Sequence, residues 1–129
     1  MNISIEHIAY WVADLERVKT FYETYFQASS GVLYENTRKG FKSYFIRIGK
    51  GARIEIMQRS DIHENNHKGY MMGLAHIALA LGSKRAVDQL TAQMEKEGVP
   101  IVGQPRTTGD GYYESVVKDP EGNLIELTV

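Results

Sequence analysis

The chain carries a weakened copy of itself, and that repeat limits what it can fold into more than any other feature. "IEHIAYWV", from Ile5 to Val12, reads as a strand, with β-branched and aromatic residues and neither Gly nor Pro. Asp14 follows as an N-cap, and Leu15, Val18, Phe21, Tyr22, Tyr25 and Phe26 then recur at helical spacing. "LAHIALAL", from Leu74 to Leu81, begins the same sequence of events. Ser83 is its N-cap, Val87, Leu90 and Met94 form one stripe, and Gly98 ends the helix. The copies align at an offset of 69 residues, set by His7 and His76. Later the offset is 71, set by Glu55 and Glu126, and the drift of two is the size of a loop insertion.

Between each helix and its closing strand there is room for two more strands. "GVLYEN" and "FKSYFIRIG" fill the first half, and "VPIVGQP" and "GYYESVVKD" the second. "GKGA" and "DPEGN" supply the Gly and Pro that closing hairpins need. The expected fold is therefore α+β, a single domain over 1–129 built from two tandem βαβββ modules that form a curved mixed sheet. Module 1 spans about 3–60, a polar linker 61–72, and module 2 about 73–129. One helix covers one face of each half-sheet, so the other face is left to line a cavity.

Strand parity sorts residues between those faces. Ile54, Ile56, Ile125, Leu127 and Val129 are expected to pack under helices, which turns Glu55 and Glu126 the other way. His7 shares a face with Ile5, Ala9 and Trp11, and His76 with Leu74, Ala78 and Ala80. Any one of these four polar residues alone fits a solvated strand face or a satisfied histidine. Four of them at equivalent places in two copies do not fit chance placement. Two imidazoles and two carboxylates form a donor set suited to Ni, Co, Zn, Fe or Mn, with positions left for water or substrate. Two carboxylates buried together need a cation to neutralise them.

The rest of the composition mainly excludes. The 129 residues carry 15 basic and 16 acidic side chains, with no basic stripe for nucleic acid. There is no cysteine, hence no disulfide, thiolate ligand or Cys nucleophile. No apolar segment approaches the length that crosses a bilayer, and the N-terminus lacks signal-peptide character. These readings lead to the expectation of a cytoplasmic protein. His63 and His67 fall in the polar linker and are expected to be solvated.

"EHIAYWVADLERVKTFYETYF", "LAHIALAL" and "GDGYYESVVKDPEGNLIELTV" together resemble the vicinal oxygen chelate superfamily, the glyoxalase I and bleomycin-resistance fold. The likeness runs from Ile5 to Val129. In glyoxalase I-like members the metal ligands run His, Glu, His, Glu, matched here by His7, Glu55, His76 and Glu126. The resemblance implies one divalent ion, Ni, Co or Zn before Fe or Mn. It also implies a homodimer and a small-molecule substrate with vicinal oxygens, isomerised by proton transfer through an enediolate. Glu126 is the implied base and Glu55 its mirror; Trp11, Tyr44, Arg47 and Tyr113 are candidate substrate contacts. Glutathione-dependent bacterial glyoxalases carry Arg where this chain has Trp11, and Asn shortly after the first Glu, where it reads "MQRSD". Those departures point away from glutathione. The same fold also hosts metal-dependent oxygenases and antibiotic-resistance transferases, which use a His, His, Glu set, and metal-free bleomycin-type binding proteins.

Overall fold

The structure is a computed structural model, described here over residues 1–63 and 72–129. It divides into two compact units, residues 1–64 and 65–129. His67 and most of the expected linker lie outside the described residues.

Unit 1 runs β1 (His7–Trp11), α1 (Leu15–Phe26), β2 (Ser29–Ser30), β3 (Tyr34–Asn36), β4 (Phe41–Arg47) and β5 (Arg53–Arg59). The sheet order is β1-β5-β4-β2, with β3 also paired to β4. Asp14 caps α1 by accepting from the Arg17 N–H at 3.0 Å, and Gln27, in the left-handed region, ends it. Leu15, Val18, Phe21, Tyr22 and Phe26 are buried from the helix side, as are Tyr44, Ile46, Ile54 and Ile56 from the sheet. Tyr22 is fully buried because its hydroxyl reaches that of Tyr10 on β1 at 2.6 Å. The segment expected as one strand over Gly31–Asn36 is instead split. The Gly31 N–H bonds to Phe45 O, and regular pairing resumes only at Tyr34.

Unit 2 runs β6 (His76–Ala80), α2 (Lys84–Lys96), β7 (Ile101–Thr107), β8 (Tyr113–Lys118) and β9 (Leu124–Thr128), ordered β6-β9-β8-β7. Ser83 caps α2 through the Ala86 N–H at 3.1 Å. The buried stripe is Val87, Thr91 and Met94, so Thr91 takes the place expected of Leu90. Its hydroxyl donates to Val87 O at 2.6 Å and sits 2.7 Å from Ser115 Oγ, which leaves no polar group unpaired there. Pro105 is tolerated in β7 because that strand is at the sheet edge and its register shifts between Gly103 and Arg106. Ile125 and Leu127 pack under α2 as expected, whereas Val129 is 50% exposed, being past the last paired residue.

In both units the first strand pairs in parallel with the last, β1 with β5 and β6 with β9. This pairing sets the geometry of the candidate site.

Candidate metal centre

Ala9 lies opposite Glu55 and Ala78 opposite Glu126 in the two parallel pairs. Each histidine therefore stands two residues before the alanine that faces its glutamate, on the neighbouring strand and the same face. Small alanine side chains leave the space beside each carboxylate open. In unit 2 the two groups meet, with His76 Nε2 3.2 Å from Glu126 Oε2. Two donors about 2.1 Å from one ion stand roughly 3.0 Å apart at a right angle and 3.4 Å apart at a tetrahedral one. The observed separation falls between, so this pair fits a shared divalent cation. In unit 1 His7 turns its Nδ1 to Glu6, which also binds the Arg53 guanidinium. His7 packs edge-on to Phe45, and Arg53 lies 4.1 Å over the same ring. A proton on Nδ1 shared with Glu6 leaves Nε2 as the nitrogen free to coordinate. Hydrogen bonding from His7, then from Arg53, holds Glu6 below the ordinary carboxylate range. No cluster of three or more potential ligands is formed among the described residues.

One residue that the repeat does not announce belongs here. Glu114 lies on β8 opposite Thr128, two positions from Val116, the residue opposite Glu126, and so shares the Glu126 face. Burial first, and repulsion from Glu126 second, push its carboxyl above the ordinary range. At the offset of 71 its counterpart is Ser43, so repeat matching passes over it. The available signal was strand parity in "YESVVK", the same reasoning that singles out Glu55.

The expected substrate contacts divide. Trp11 stands on the His7 and Glu55 face and is 43% exposed. Arg47 shares that face by parity and is exposed. Tyr44 and Tyr113 do not, because the hydroxyl of each reaches a helix residue on the other face. Tyr44 donates to Glu16 at 2.5 Å and Tyr113 to Asp88 at 2.6 Å. Those bonds raise both phenol pKa values.

A family model described as the Glyoxalase/Bleomycin resistance protein/Dioxygenase superfamily matches residues 4–127. The chain belongs to that superfamily. Among its relatives, the uncharacterized protein YqjT of Bacillus subtilis is 26% identical over 135 residues, covering 95% of this chain and 96% of YqjT. An uncharacterized protein of Pseudomonas aeruginosa is 29% identical, covering 99% of this chain and 89% of its own. The fold is that of glyoxalase I from Zea mays, with a TM-score of 0.80 at 20% identity over 97% of this chain. This chain spans 44% of the maize enzyme. The trypanothione-dependent glyoxalase I of Leishmania major matches at a TM-score of 0.78 and 23% identity, over 98% of this chain and 86% of that one. Superfamily members typically bind a divalent metal, and many are enzymes. No helix among the described residues is long and apolar enough to cross a membrane.

Proposed function

We propose that the chain binds a divalent ion through His7, Glu55, His76 and Glu126. It isomerises a small substrate with vicinal oxygens, as a glyoxalase I-like lyase working in the cytoplasm as a homodimer. The observation that carries this reading is the matched placement of one imidazole and one carboxylate on adjacent parallel strands in both units, in contact at 3.2 Å in unit 2. The ion supplies Lewis-acid stabilisation to charge building on the substrate oxygens, a contribution of several kcal/mol. Glu126 takes the proton from the carbon beside the carbonyl, with Glu55 the mirror candidate for that base, and the proton returns one carbon away. His7, steadied by Glu6, and His76 hold position without exchanging protons.

The test is turnover of methylglyoxal with a panel of thiols, after reconstitution with Ni, Co, Zn, Fe or Mn. Activity should depend on the metal, and Glu126→Gln should lower kcat by about 10²- to 10⁴-fold. Full turnover by Glu126→Gln overturns the assignment. Activity with ferrous iron on a catechol, kept in full by Glu55→Gln, instead selects the oxygenase reading.

A further inference from the structure

The face of unit 1 that carries Glu55 continues into a set of aromatic rings. Trp11 lies opposite Met57, Met57 opposite Ser43, and Ser43 opposite Tyr34, so all four share that face. Phe41 joins them from the start of β4, edge-on to Trp11 at 6.1 Å and to Tyr34 at 5.9 Å between centroids. Such edge-to-face contacts hold rings in fixed orientation. The helix core is on the other face, so these rings are not part of it. Trp11 is 43% and Tyr34 55% exposed, while Ser43 between them is only 2% exposed, closed over although it faces away from α1. Met57 follows Glu55 by two residues, so the wall starts about 7 Å along the strand from that carboxylate.

Two of the cations on the neighbouring strand are already paired. Arg59, opposite Phe41, bonds Asp61 at 2.8 and 2.6 Å, and Arg53 is taken by Glu6. Arg47 stands six residues along β4 from Phe41, about 20 Å away.

We propose that Trp11, Tyr34 and Phe41 form a specificity wall and that the substrate carries an aromatic group next to its chelating oxygens. The proposal rests on the metal-dependent reading above. Acetohydroxamate and benzohydroxamate present the same chelating oxygens and differ only in methyl against phenyl. Bound to the metal-loaded protein, benzohydroxamate should be tighter by about tenfold and should quench Trp11, the sole tryptophan. Tyr34→Ala and Phe41→Leu should each cut that preference to about threefold or less while leaving acetohydroxamate affinity unchanged. Equal affinities in the unsubstituted protein, or a preference that survives both substitutions, overturn the wall and leave the metal reading standing. Trp11 emission that follows protein concentration rather than ligand assigns the rings to contact between two copies and also overturns it. Failure of both hydroxamates to bind a metal-loaded form overturns the wall alone, whereas failure of the protein to take up any of the metals removes the metal reading and the wall together.

Discussion

Glu114 is the residue whose behaviour follows most directly from its surroundings. Its carboxyl binds a proton more readily folded than unfolded, because burial and Glu126 both disfavour its charge. The folded state then holds more protons than the unfolded one, so stability falls as pH rises from the ordinary carboxylate value of 4.5 through the raised one. Glu114→Gln should therefore raise the Tm of metal-free protein at neutral pH, and the gain should vanish below 4.5, as thermal melts at several pH values will show. A metal ion at Glu126 should shrink the effect by offsetting the repulsion. His7, Glu55, His76 and Glu126 stand out in the sequence as candidates because duplication pairs each with a counterpart. Glu114 does not, since Ser43 stands at its repeat position. Nor does the role of Tyr44 and Tyr113, because parity sorts faces within one strand but not the register that matches them to the faces of its neighbour.

At the level of elements, sequence periodicity located both helices and most strands, since caps and turn residues are local signals. It did not show that first and last strands pair in parallel, because strand neighbours are chosen by long-range packing that no local pattern encodes. The turn before β9 depends on buried Asp119. Its carboxylate accepts from the Glu121 and Asn123 N–H groups, both at 2.9 Å, and from Asn123 Nδ2 at 2.8 Å. Removing it should destabilise the protein by about 3 kcal/mol and loosen the strand that positions Glu126; denaturant unfolding of Asp119→Ala measures the first effect. Ser83→Ala should cost only about 1 kcal/mol, for one lost cap bond of α2. Thr91→Val should cost more than its change in size suggests, because it strands the Ser115 hydroxyl in the core.

For the whole molecule, the consequence of the proposed centre is that stability depends on the bound ion. Metal in thousandfold excess over its dissociation constant should add about 4 kcal/mol to stability, and a chelator should remove that increment. The most direct measurement is calorimetric titration of metal into the unsubstituted protein and into Glu55→Gln and Glu126→Gln, one substitution from each unit. One ion per chain, with binding lost or weakened at least about a hundredfold in both variants, is the predicted result. Two independent ions per chain, or a Glu55→Gln protein that binds metal as tightly as the unsubstituted one, would contradict it.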